Sequence, residues 1–265
     1  MKIRRLLVLL LAALFIIAPL GGCGSQKEKK EQFIVGFDAE FPPYGYQDEN
    51  GEYVGFDLSL AQEVSDRLGM ELVKKPVDWD AKDQELATGA ISCIWNGFSM
   101  NGREDNYTWS KPYVDNSQVV VVKEDSGIQT LDDLAGKNMM VQVDSSALAA
   151  LTGEGATEAN KALTASLKDL SQIADYSTAF MMLESGAVDA VALDVGVADY
   201  QLSNRKGFVK LDAVLASENY AIGFRKGNTE LRDKVQKALD DMAADGTFLK
   251  IAQEWGVDSA ICFGK

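Results

Sequence analysis

Arg103 is the one cation in CIWNGFSMNGREDNYTWS, Cys93 to Ser110, a polar stretch that follows an apolar run reading as a buried strand. A guanidinium at a strand end has two uses. It pairs with a neighbouring carboxylate, here Glu104 or Asp105, or it is held ready for a carboxylate that arrives with a ligand. The chain contains no histidine. That removes the commonest general base, the commonest metal ligand and every Ser-His pair. An enzyme here would have only carboxylates such as Asp38 and Glu40 for acid or base work, so no catalytic residue, metal site or cofactor is expected.

The chain has 265 residues, 46% of them apolar and five of them proline, which indicates ordered globular structure. MKIRRLLVLLLAALFIIAPLGGC reads as an export signal over residues 1–22: Lys2, Arg4 and Arg5, an apolar stretch from Leu6 to Leu20, then small residues. Leu20-Gly21-Gly22-Cys23 resembles the lipobox of bacterial lipoproteins, which makes Cys23 the lipidated N-terminus. A retained membrane anchor and an ordinary signal with an incidental Cys23 are the alternatives. The apolar run is short for a span, and Gly-Gly-Cys sits where cleavage belongs. Residues 23–32 are polar and read as a tether, which puts the protein outside the cytoplasm, held to the cell membrane. Loss of Lys2, Arg4 and Arg5 takes the formal charge from −14 to −17, which argues against nucleic acid as a partner. Cys93 and Cys262 then remain, and they either form a disulfide or leave Cys93 as a buried thiol; their positions in the sequence do not decide.

Stepping along the chain, Phe33–Phe37 reads as a strand ending at Asp38, and Asp57 is placed to cap a helix whose Leu60, Ala61, Val64 and Leu68 share a face, with Gly69 as its stop. Glu71–Val77 is a strand, Asp80–Thr88 a helix and Ala90–Trp95 another strand. This alternation predicts an α/β domain with a largely parallel sheet, and ligands of such sheets bind beyond the strands' C-terminal ends. Asp38 and the Asn96–Ser99 turn therefore share one rim. A second unit follows: a strand at Val119–Lys123, a capping box at Thr130–Asp133, a strand at Lys137–Val143, a helix opened by Asp144-Ser145-Ser146, a helix at Thr178–Glu184 and a strand at Val188–Leu193. LATGAISCIWN and LESGAVDAVAL, starting at Leu86 and Leu183, repeat one helix-Gly-strand device, which would set Gly97 and Asp194 on facing rims of two lobes. Tyr220–Phe224 reads as a strand, followed by a long helix carrying Leu231, Val235, Leu239 and Met242 up to Gly246 and a last helix with Phe248, Ile251, Ala252 and Trp255.

VGFDAEFPPYGYQDENGEYVGFDLSLAQEV, GFSMNGREDNYTWSKPY and YAIGFRKGNTELRDKVQKALDDMAADGTFLKIAQEWG, in that order, resemble the solute-binding proteins of polar amino acid ABC transporters. The resemblance spans nearly everything after the tether. It implies a two-lobe α/β fold of the periplasmic-binding-protein-like kind with two hinge strands (type II). Residues 33–118 and 222–265 would form lobe 1 and 123–217 lobe 2, with hinges at about 119–122 and 218–221. It also implies a monomer that carries a polar L-amino acid to a transporter permease. By position, Arg103 would grip the ligand carboxylate with help from Ser99 and, across the cleft, Ser146 at a helix start. Gly97 would offer its carbonyl to the ammonium and Asp194 its carboxylate. Phe41 and Phe56 would cover the side chain, while Asp38, Asn96 and Gln142 would select it.

Two departures stand out. Ser99 and Arg103 are one residue closer than the family's usual spacing. Asp144 occupies a position where glycine is common, and its carboxylate is expected to point away from the ligand. The alternative function is an exported dehydratase-like enzyme of the same fold acting on a small carboxylic acid.

Overall fold

The computed structural model describes residues 30–264. The signal segment 1–22, Cys23 and the tether as far as residue 29 lie outside the described residues, and Gln32, counted above with the tether, opens the first strand.

Gln32–Phe37 pairs in parallel with Glu71–Pro76 on one side and Cys93–Ile94 on the other. Its Phe33, Val35 and Phe37 share one face and are wholly buried, while Ile34 on the other face is half-buried. The helix Phe56–Leu68 follows the predicted apolar face and ends where Gly69 turns left-handed at φ 68°. Asp80–Thr88 divides into a single turn of tighter helix, Trp79–Ala81, and the helix Lys82–Thr88. Only Cys93–Ile94 of the expected strand Ala90–Trp95 is paired.

The sheets are mixed, not largely parallel. In the first, Gly223–Arg225 joins Cys93–Ile94 antiparallel and Tyr107–Trp109 adds a further antiparallel edge. The second sheet orders Asp169–Ile173, Asn138–Gln142, Ala190–Asp194, Val114–Lys123 and Phe208–Lys210, with Ala216–Tyr220 also beside Val114–Lys123. The physical reason is the connection between the sheets: a chain that crosses from one lobe to the other and back runs its returning strands against the rest. Tyr220–Phe224, read as one strand, is accordingly two. Tyr220 ends a strand of the second sheet and Gly223 begins one of the first.

The repeated device is present in both lobes. Lys82–Thr88 ends on left-handed Gly89 before Cys93–Ile94, and Tyr176–Ser185 ends on left-handed Gly186 before Ala190–Asp194. Of the two alternatives for Cys93, the structure has the fully buried free thiol and not the disulfide; burial pushes the thiol well above its ordinary pKa.

Candidate functional site

Lobe 1 contributes its rim through two loops. Gly97 adopts φ 55°, and a Cβ there would lie 2.7 Å from the Phe41 ring and 3.0 Å from that of Tyr220. Glycine alone allows both the backbone twist and the close approach. Asp57 holds this turn: its Oδ2 accepts the Gly97 N–H at 2.6 Å. The expectation that Asp57 caps its helix is thus corrected, since Gly55 is the N-cap and Asp57 is buried in the first turn. Burial raises its carboxyl to about 7. Asn96 turns away from the cleft and accepts the Asp38 N–H through Oδ1 at 2.8 Å. It braces the rim, and any effect on ligand choice passes through Asp38.

Seven of the ten predicted ligand residues line one cavity of about 10 Å³ between the lobes: Phe41, Gly97, Ser99, Arg103, Gln142, Ser146 and Asp194. Trp79, Phe98 and Ser145 complete it. Phe56 does not belong there. It is wholly buried against Tyr44, Tyr113 and Phe248, because its helix turns that face to the core. Trp79 supplies the second aromatic wall instead. Nothing in the periodicity around it distinguished Trp79 from a core residue.

Arg103 makes its side-chain hydrogen bonds to neutral acceptors: Nη1 donates to the Ser99 carbonyl at 3.1 Å and to Ser146 Oγ at 3.0 Å, and Nη2 donates to the Asp144 carbonyl at 3.2 Å. Its guanidinium also lies 5.3 Å from the centre of the Phe98 ring. Neither Glu104 nor Asp105 pairs with it. Among the described residues no ion pair involves Arg103 or Asp194. The shortened spacing from Ser99 is taken up by a turn in which the Arg103 N–H bonds the Met100 carbonyl at 2.9 Å. Ser145, not Asp144, caps the helix Ser146–Thr152, its side chain accepting the Leu148 N–H.

Asp194 ends its strand on the opposite wall. Its Oδ1 accepts from Asn116 Nδ2 and Gln118 Nε2, both at 2.7 Å, and from Tyr220 OH at 2.6 Å. Asn116 and Gln118 also donate to Glu218 Oε1, each at 2.6 Å. Two carboxylates are therefore buried side by side with amide donors and no cation. Burial first, and then the Glu218 charge, pushes the Asp194 carboxyl well above the usual carboxylate range. Nothing in the sequence singles out Asn116, Gln118 or Glu218, and Tyr220 reads only as the start of a strand, because side chains that converge from separate strands leave no local pattern.

Asp38 marks a boundary. Its Oδ2 accepts from Gln142 Nε2 at 2.6 Å across the cleft, its Oδ1 accepts the Glu40 N–H, and burial raises its carboxyl to about 6. Gln142 lines the small cavity, whereas Asp38 lines a wider one of about 760 Å³ with Glu40, Asp78, Asp80 and Asp175. Trp79 borders both.

Residues 33–258 match the bacterial extracellular solute-binding proteins, family 3. The chain belongs to that family. The family is one of binding proteins, so the dehydratase-like alternative falls. Among the relatives of this solute-binding protein is the arginine-binding extracellular protein ArtP of Bacillus subtilis, 31% identical over 95% of this chain and 98% of that protein. The L-cystine-binding protein TcyJ of Escherichia coli is 26% identical over 88% of this chain and 86% of its own. A substrate-binding protein of an ABC uptake transporter from Streptococcus pneumoniae, solved with bound histidine, superposes with a TM-score of 0.81. It is 32% identical, over 87% of this chain and 94% of that one. The two-lobe mixed α/β architecture is shared.

Proposed function

We propose that this protein captures a polar L-amino acid between its lobes, as a monomer held to the membrane by a lipid on Cys23, and presents it to an ABC importer. One observation carries the reading: a guanidinium and a carboxylate from opposite lobes line one cavity, and among the described residues neither has an oppositely charged partner. A free amino acid leaves water at acceptable cost only when both its charges are met. Arg103 with Ser146 suits the carboxylate, and Asp194 with the Gly97 carbonyl suits the ammonium. A cavity of about 10 Å³ holds a water rather than an amino acid, so the lobes must part to admit one and close again on it. Because the ligand touches both walls only in the closed form, it shifts the equilibrium to closure.

Two connections set that motion. Residues 119–122, where the resemblance implies a hinge, pair with Ala190–Leu193 inside the second sheet. We place the first hinge earlier, over residues 113–116, opposite 218–222, which leaves the Asn116–Glu218 pair at the pivot.

For the side chain, Asp38 and the acidic chamber behind it favour a cation or an amide over an acid. The relatives named for arginine and cystine, and the similar structure solved with bound histidine, agree with a polar ligand. In a thermal-shift screen of the common amino acids and cystine, basic and amide ligands should raise the melting temperature, and aspartate and glutamate should leave it unchanged. Saturation to a hundredfold above Kd stabilises by about 2.7 kcal/mol. A flat screen would sink the reading. The anchor has its own test: Cys23→Ser should release the protein from washed membranes into the soluble fraction, and an unchanged membrane fraction would argue against lipidation.

A further inference from the structure

We propose that Lys82 and Asp144 form an ion-paired latch between the lobes, which sets ligand affinity without touching the ligand. The inference rests on the binding reading above. Lys82 begins the helix Lys82–Thr88 in lobe 1, and its side chain is 1% exposed. Asp144 sits in lobe 2, in the turn between the strand Asn138–Gln142 and the helix Ser146–Thr152. The Lys82 ammonium meets Asp144 Oδ2 across the cleft, donates to the Trp79 carbonyl at 3.0 Å and lies 4.9 Å from the centre of the Trp79 ring. Among the described residues its only ion pair is with Asp144.

Asp144 is also the only non-glycine residue with positive φ among the described residues, at 52°. Aspartate tolerates that conformation better than most residues. In this posture its two ends serve two cations of the opposite lobe: the carboxylate takes Lys82, and the carbonyl takes Arg103 Nη2 at 3.2 Å. The carboxylate goes to Lys82 and, among the described residues, makes no ion pair with Arg103.

The energetic role follows from what closure does to Lys82. With the lobes parted, the ammonium is hydrated. With them closed, it is out of water, and an unpaired buried charge is strongly unfavourable. Asp144 removes that penalty in the closed form only, so the pair biases the equilibrium that the ligand also biases. Its side chain is 49% exposed, so salt reaches and weakens the pair.

The experiment is a double-mutant cycle with Asp144→Asn, Lys82→Met and the combined variant. Asparagine keeps the left-handed turn and removes the charge. Each protein is titrated with L-arginine, with stopped-flow dissociation rates and small-angle scattering of the ligand-free protein. Asp144→Asn should weaken binding about tenfold, speed dissociation and enlarge the radius of gyration. Adding Lys82→Met should restore affinity to within about threefold of the parent, which a merely structural role of Asp144 would not produce. Equal affinities, rates and radii across the cycle, or losses that simply add, would overturn the latch. If those results coincide with lost binding in Arg103→Ala, the latch alone fails. If L-arginine binds to none of the proteins, the scattering comparison still decides the latch, while the ligand reading is judged by the screen.

Discussion

Replacing Arg103 by alanine is expected to lower amino acid affinity by roughly a hundredfold to ten-thousandfold. The guanidinium can present two parallel N–H groups to a carboxylate, each charge-assisted bond being worth about 1.5–3 kcal/mol. Its present partners, the Ser99 and Asp144 carbonyls and Ser146 Oγ, are neutral, and a carboxylate outcompetes them. Arg103→Lys keeps the charge but loses the planar fork, so it should fall between the two. Calorimetric titration of all three proteins checks this. The ligand-free melting temperature should move little, because Arg103 is only half-buried and packs at the cleft, not in the core. An alanine variant that binds as tightly as its parent would remove Arg103 from the site.

Asp194→Asn should separate binding from stability. Asparagine retains an oxygen for the Asn116, Gln118 and Tyr220 donors but removes the charge that would meet the ligand ammonium. An ammonium buried without its partner costs on the order of 3–5 kcal/mol, or roughly a hundredfold or more in affinity. The ligand-free protein should nevertheless melt at the same or a higher temperature near neutral pH, since the substitution relieves repulsion from Glu218.

The pH dependence carries the same sign argument. A carboxyl whose folded pKa is raised binds its proton more tightly when folded. Its contribution to stability is full in acid and is lost as pH rises, between 3.8 and about 7 for Asp57 and between 3.8 and about 6 for Asp38. Asp194 shares that direction in the free protein. Pairing with an ammonium requires it ionised, so ligand binding releases a proton and affinity falls as the solution is acidified below neutrality. Titrations in buffers of different ionisation enthalpy would detect the released proton in the parent and lose much of it in Asp194→Asn. An affinity that does not change from pH 8 to about 5 would contradict the role of Asp194.

Phe56 and Trp79 show where the reading of the site divided. Both are aromatic residues at helix starts, and local pattern cannot tell which face of a helix looks into a cleft. Asp57 was misplaced for a related reason: a carboxylate at a helix start has a good local use as a cap, but the Gly97 N–H, brought close by the sheet, made a better partner. The sheet called largely parallel is mixed because the direction of a strand depends on where the chain crosses between lobes, and β-branched runs look alike in both directions.

By itself the sequence determined the alternation of helices and strands and the glycines that end them. Each of these follows from neighbours along the chain, through periodicity, φ preference or a repeated motif. Only the tertiary structure decided that Glu218 lies beside Asp194, that Asp38 meets Gln142 across the cleft, and that Lys82 reaches Asp144. Those contacts join residues 24 to 104 positions apart. Their energies depend on burial and distance, which come into being only when the second sheet assembles, for Asp194 and Glu218, and when the two lobes close, for the other two pairs.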